Sequence, residues 1–183
     1  MCEYRALAEM QSHLDAVRQS PADAGPVVMI VSRPKTLHRT LLRSCALDRE
    51  LGLVGDNWVA RGDKHTADGQ ADPDRQLTIM NSRAIAAITD SEARWPEAGD
   101  QFYVDFDLSA DNVPPGTRLV IGTAEVEVTP LPHLGCAKFG QRFGKDANRF
   151  VNSDLGKALN LRGVNARVIT AGTVNTGDII RKL

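Results

Sequence analysis

Cysteine is scarce and poorly placed for crosslinking. Cys2, Cys45 and Cys136 are the only three, widely separated, odd in number and without a CxxC pair. That pattern argues against a disulfide scaffold or a zinc framework and leaves reduced thiols as the simpler expectation. Charge of one sign is missing too: 22 basic against 23 acidic residues give a net charge of −1. The chain as a whole therefore offers no field for gripping nucleic acid or an anionic membrane, and any anion site must be local. No run approaches the ~20 apolar residues that span a bilayer, and the opening MCEYRALAEMQSHLDAVRQ carries acidic residues without an apolar signal-type core. The expectation is a cytoplasmic protein with neither nucleic acid nor membrane as partner. Internal repeats and low-complexity segments are also absent.

What is present suits one domain with a terminal extension. A chain of 183 residues, 42% hydrophobic and 25% charged, can bury about 70% of the surface its unfolded form exposes. Residues 1–25 read as an N-terminal docking helix and linker: Tyr4, Leu7, Met10, Leu14 and Val17 recur at helical spacing, and SPADAGP stops the helix. Residues 26–183 read as the main domain. Val27 to Val31 is a short buried strand, Leu41 to Leu47 a weaker strand, and Ala60 to Gln76 a long loop whose aspartates do not match calcium-loop spacing. Leu77 to Met80 is a strand, and Asn81 is placed to cap a helix running to about Thr89. FYVDFDL alternates as a half-buried strand, while RLVIGTAEVEVT reads as two strands joined at Gly122 and Thr123 in a type II′ hairpin. Asp146 is placed to cap one helix with the buried stripe Ala147, Phe150, Val151, Leu155, Ala158 and Leu159; VNARVIT and GDIIRKL close the chain. Six or more short strands with few helices predict a mainly β, α+β fold, closed or folded over.

Chemistry concentrates in Thr129 to Gly144, TPLPHLGCAKFGQRFG, a run that Gly and Pro break too often for a core helix or strand. Cys136 lies at its centre with Lys138 and Arg142 close in sequence, and cationic neighbours favour the thiolate, the form that attacks electrophiles or binds metal. A small buried cysteine in an ordinary loop would use the same residues. His133 is a candidate base, metal neighbour or loop hydrogen-bonding residue, although a Cys–His pair needs a third, orienting group that the sequence does not identify. Asn81 and Asp56 suit cap or turn positions and could also border a pocket. Phe139, Phe143 and Phe150 read as packing, and Cys45 as a small buried hydrophobe.

Taken together, GLVGDNW, RQLTIMN, the Val-Thr run into PHLGCAKFGQRFG, DANRFVN, LRGVNARV and a terminal GD pair resemble the MOSC domain, from about Val27 to the C-terminus. The resemblance implies a closed or partly closed β-barrel with peripheral helices. It also implies that Cys136 corresponds to the family cysteine proposed to carry sulfur as a persulfide or to ligate the molybdenum of the molybdopterin cofactor. Lys138, Arg142, Arg162, Lys145 and Asn81 would then surround an anionic, phosphorylated pterin, with Arg forks especially suited to phosphate. Two functions stay open. One is a molybdenum enzyme that reduces N-hydroxylated or related compounds with an external electron donor, as in amidoxime-reducing relatives, which carry a further N-terminal barrel region for which this chain has no room. The other is a sulfur or cofactor carrier that delivers to a redox or sulfurtransferase partner. Pyridoxal phosphate, the cofactor of the companion domain in molybdenum cofactor sulfurases, is not expected here.

Overall fold

The computed structural model describes residues 4–183. The N-terminal periodicity becomes α1 (Leu7–Ser12) and α2 (Leu14–Arg18), interrupted at His13, with Met10 and Val17 buried and Leu7 and Leu14 packed beside them. The chain then enters β1 (Ala24–Ser32) and passes through β2 (Thr40–Leu42), β3 (Ser44–Asp48), β4 (Gly52–Leu53) and the single turn α3 (Trp58–Arg61). A long irregular segment, with one 3₁₀ turn at Pro73–Arg75, leads to β5 (Leu77–Asn81) and α4 (Ser82–Ile88). The Asn81 side chain accepts the Arg83 N–H at 2.8 Å, as its position before an apolar helix predicts. A 3₁₀ helix, Glu92–Ala98, precedes β6 (Phe102–Val104). The hairpin β7 (Arg118–Ile121) and β8 (Ala124–Pro132) turns at Gly122, whose φ is +58°, the sign a type II′ turn requires at its first central residue. Then follow α5 (Ala137–Phe143), α6 (Lys145–Asn152), α7 (Asp154–Ala158), β9 (Val164–Thr170), β10 (Gly172–Asn175) and β11 (Ile179–Lys182).

Seven of these strands, in the order β1, β11, β7, β8, β9, β5 and β6, pair round into a closed barrel, with β2 added outside β1. Strand direction must alternate consistently around a ring, so an odd-stranded barrel cannot be antiparallel throughout. The parallel pair is β5 with β6; the other barrel pairings are antiparallel. Parallel neighbours need a crossover, and here it carries α4 and the 3₁₀ helix across the outside of the barrel. Two apolar cores result. Leu77, Ile79, Phe102, Val104, Phe106 and Val126 fill the inside, while Met29, Val31, Met80 and Tyr103 on the outward face meet Ile85, Phe139, Phe143 and Phe150 of the helical layer. A small sheet of β10, β3 and β4 completes the fold, with Cys45 of β3 buried at the barrel core. Among the described residues no helix is long and apolar enough to cross a membrane.

Three local expectations need correction. FYVDFDL is not half-exposed: Tyr103 is fully buried because the helical layer covers the outer face, and regular pairing of β6 stops at Val104. The single helix expected after Asp146 is two, broken at Ser153, whose side chain caps α7 by accepting the Gly156 N–H at 2.9 Å. Leu155 and Ala158 accordingly lie exposed. Asp146 itself sits inside α6, where its carboxylate accepts the Leu7 N–H at the start of α1 and so ties the N-terminal helix to α6. Finally, Thr129 to Gly144 is largely regular: β8 continues to Pro132 and α5 begins at Ala137.

At the end of β1 the guanidinium of Arg33 is gripped by Asp56, whose side chain is fully buried. Nε donates to Oδ2 at 2.9 Å and Nη2 to Oδ1 at 3.0 Å, while the Arg33 N–H also donates to Oδ2 and the Trp58 N–H to Oδ1. Removing one partner of such a buried pair leaves an uncompensated charge. Asp56→Ala is therefore expected to lower stability by about 3–5 kcal/mol, measured by urea unfolding, whereas a loss within experimental error would mean that Arg33 finds water when Asp56 is removed.

Candidate functional site

Only residues 133–136 separate β8 from α5, and their course is fixed from the side. Asn152 on α6 accepts the Gly135 N–H at 3.0 Å and donates to the Gly135 carbonyl at 2.9 Å, and Asn148 one turn earlier accepts from the Asn152 amide. A Cβ on Gly135 would lie 2.5 Å from Asn148 Oδ1 and 2.7 Å from Val151, so only glycine lets the segment come this close. The next residue, Cys136, precedes the first turn of α5 and is exposed. Phe139 and Phe143, with ring centroids 5.0 Å apart, bury the inner face of α5 and hold the thiol at the surface.

Cys136 opens onto a cavity of about 200 Å³ lined by Arg33, Lys35, Arg39, Arg61, Lys138 and Arg142, with Gly99 and Phe139 among its other walls. Arg33, Arg61, Gly99 and Lys138 also line a larger cavity of about 760 Å³, bounded by His133, Arg162 and Asn165 on one side and by Gly62 to His65 and Arg75 on the other. The long segment 60–76 thus forms one wall of the site. A chain of net charge −1 has concentrated its cations here. Among the described residues Lys35, Arg39, Arg61, Lys64, Lys138 and Arg142 have no carboxylate partner, and Asp63, the one acid in the cavity walls, lies 3.5 Å from Arg75. Burial, then the charges of Arg142 and Arg33, push the Arg39 guanidinium below its usual value, and burial with Arg33 does the same to Arg61. Arginines remain protonated in proteins, so these shifts express the cost of crowding cations without an anion.

Beneath this surface lies an ionic chain. Arg162 Nη1 donates to Asp100 Oδ2 at 2.6 Å and Nη2 to the Ala98 carbonyl at 2.8 Å, and the guanidinium lies 5.0 Å from the Phe139 ring centroid. Asp100 is fully buried; burial pushes its carboxyl above the ordinary range, and Arg162 opposes that shift. His133 Nδ1 stands 3.5 Å from Asp100 Oδ1. Burial, reinforced by Arg162, Arg33 and Arg75, holds the His133 pKa well below its usual value, so the ring is neutral at pH 7.

The expected site residues are therefore distributed unevenly. Cys136, Lys138 and Arg142 meet at the smaller cavity, while His133, Lys138 and Arg162 line the larger. Arg162 is largely committed to Asp100 and presents little free charge. Asn81 lines neither cavity, because its amide is consumed by Arg83, Ser20 and the Phe106 carbonyl. Lys145 is exposed at the start of α6 and also lines neither. Sequence reasoning did not single out Arg33, Arg39, Arg61, Asp100 or Asn152. Of these, only Asn152 falls within a motif that drew attention, DANRFVN, and the cations converge from separate segments with no local signal. Among the described residues no three His, Cys, Asp or Glu side chains gather as a metal-binding group, so protein ligation of a metal here would rest on Cys136.

The two described thiols should behave differently. Burial pushes Cys45 up to about 12, and Cys2 lies outside the described residues. In a Cys2→Ser background at pH 8, iodoacetamide should label Cys136 and leave Cys45 unmodified until denaturant is added, read by peptide mass spectrometry. Asn152→Ala should cost about 1–3 kcal/mol by leaving the Gly135 backbone groups unpaired and should change the Cys136 labelling rate. An unchanged rate would show that Asn152 does not position the thiol.

Residues 56–181 match the family model of the MOSC domain. No curated protein sequence matches the chain. Among solved structures, the YUAD protein from Bacillus subtilis is similar with a TM-score of 0.64 at 17% identity, over 86% of this chain and 94% of that one. YiiM from Escherichia coli gives 0.57 at 21% identity, over 87% and 69%, and YiiM from Geobacillus stearothermophilus gives 0.56 at 18%, over 87% and 75%. At these identities the likeness is one of fold. The family model, however, spans more than half of the chain, from the Asp56 that grips Arg33 through Cys136 to the last strand of the barrel, and on that match the protein belongs to the MOSC domain family.

Proposed function

We propose that this MOSC domain binds a molybdenum–pterin cofactor, with the Cys136 thiolate as the protein's metal ligand and Lys138, Arg142, Arg39 and Arg61 holding the cofactor's anionic groups. The observation that carries the reading is the exposed Cys136 thiol opening onto a cavity whose walls hold several cations and no free carboxylate. A thiolate is a soft ligand suited to a transition metal, and planar guanidinium forks suit phosphate, so the residues present fit such a group. When bound, the cofactor would supply the reduction of N-hydroxylated or related compounds, with electrons from an external redox partner. The chain's own contribution is to hold the phosphorylated end by charge-assisted hydrogen bonds and to fix the thiol through the Asn152 clamp on Gly135.

A second reading uses the same thiol without turnover. Because Cys136 is exposed, its thiolate can be reached by the persulfide of a sulfurtransferase. Attack on the terminal sulfur would form an S–S bond at Cys136 and release the donor thiolate, leaving a carrier persulfide. A cytoplasmic setting, where thiols stay reduced, suits both readings.

Purification from a host that makes molybdopterin, followed by elemental analysis, separates the two. The cofactor reading expects near-stoichiometric molybdenum that Cys136→Ser removes. A metal-free protein in both forms, with a persulfide on Cys136 by mass spectrometry, would overturn it in favour of the carrier. Pterin retained at full occupancy after Cys136→Ser would show that the cationic walls suffice and that the thiol is not the essential ligand.

A further inference from the structure

We infer that His133 is a specificity-determining hydrogen-bond acceptor of the larger cavity, oriented by Asp100 and Arg162. The cavity would then take small anions that carry their own N–H or O–H donor and reject anions that offer only acceptors. This deepens the functional proposal above, resting on it for the view that the cavity receives a ligand.

The argument begins at Asp100. Its Oδ2 is held by Arg162 Nη1 at 2.6 Å, and its Oδ1, fully buried, has no hydrogen-bond partner among the described residues. His133 Nδ1 lies 3.5 Å from Oδ1, itself buried and without a hydrogen bond. The charge-assisted bond from Arg162 at 2.6 Å favours the carboxylate form of Asp100 against the burial that pushes its carboxyl up, and against that form a bare Nδ1 lone pair would set two acceptors against each other. The proton of the neutral imidazole therefore belongs on Nδ1, facing the carboxylate, and Nε2 keeps its lone pair. Nε2 has no protein partner among the described residues and is not among the buried unpaired atoms, so it is open to solvent on a residue that lines the larger cavity and also two smaller ones of about 190 and 240 Å³. Arg61, Lys64 and Lys138 bring positive charge to the same walls without a carboxylate partner among the described residues. Cationic walls select an anion; a fixed acceptor among them selects one with a proton to donate, because an oxyanion pressed against the Nε2 lone pair would leave both unsatisfied.

Inorganic phosphate and sulfate are the probes, since at pH 8 hydrogen phosphate keeps an O–H and sulfate has none. Isothermal titration of the full chain at matched ionic strength should show phosphate bound at least about tenfold more tightly, the factor that one hydrogen bond of about 1.4 kcal/mol supplies. His133→Ala should abolish the preference by weakening phosphate and sparing sulfate, and His133→Gln, which keeps a carbonyl acceptor, should restore part of it. The ¹⁵N shifts of His133 should report the proton on Nδ1, and adding phosphate should shift the Nε2 resonance, a response that a purely structural histidine would not show. Equal affinities, a preference that survives His133→Ala, failure of both anions to bind, or a proton on Nε2 would each overturn the inference. Cys136→Ser should leave the phosphate preference intact, so loss of the cofactor reading and loss of this one are separately visible.

Discussion

The site depends on charges held out of water around the short segment from Ala98 to Asp100, where the crossover ends and β6 is about to begin. Arg33 reaches it from the end of β1, donating Nη1 to the Gly99 carbonyl while Asp56 holds its other nitrogens. Arg162 reaches it from the turn before β9, donating to Ala98 and pairing with Asp100. Taking guanidinium groups from water is costly unless geometry and hydrogen bonds offset it; all three side-chain nitrogens of Arg33 are bonded, whereas Arg162 bonds through Nη1 and Nη2 and leaves its buried Nε without a partner among the described residues. The result joins three barrel-strand ends and the helical layer at one point. Cys136 is placed relative to that point, because Phe139, one turn beyond the thiol, packs under Arg162.

The same arrangement explains how a nearly neutral chain carries a strongly cationic cavity. The acids near the site are spent below the surface: Asp56 on Arg33, Asp100 on Arg162, and Asp63 beside Arg75. The cations they do not neutralise project from different segments, Arg39 after β1, Arg61 at the end of α3, and Lys138 and Arg142 on α5. Local field, not net charge, therefore decides what the site attracts.

Much of the frame was readable in the sequence because its signals are local. The Asn81 cap, the Gly122 hairpin and the alternation of β8 each depend on a few neighbouring residues, and the motif string around Cys136 pointed to the family's barrel. What was not readable depends on contacts between distant segments. Gly140 within α5 costs roughly 1 kcal/mol of helix propensity, and the helix forms anyway because Phe139 and Phe143 are buried against the helical layer. Asp146 looked like a cap for its own helix and instead serves α1. Tyr103 looked solvent-facing because nothing in FYVDFDL announces that a helical layer will cover its outer face. Asp100 carries no signal in its own neighbourhood, and its role exists only once Arg162 and His133 are brought to it in space.

The way the barrel closes also bears on how the protein is made. Of the strands that flank β1 in the ring, one is β11, the last strand of the barrel in sequence order. During synthesis the hairpins and the helical layer can assemble early, but the ring stays open along the edge of β1 until Ile179 to Lys182 have emerged. That open edge presents unpaired backbone groups to any neighbouring strand, and its final pairing carries the entropic cost of joining segments far apart in sequence. The finished domain has no such edge in its barrel; the nascent one keeps it until β11 is made.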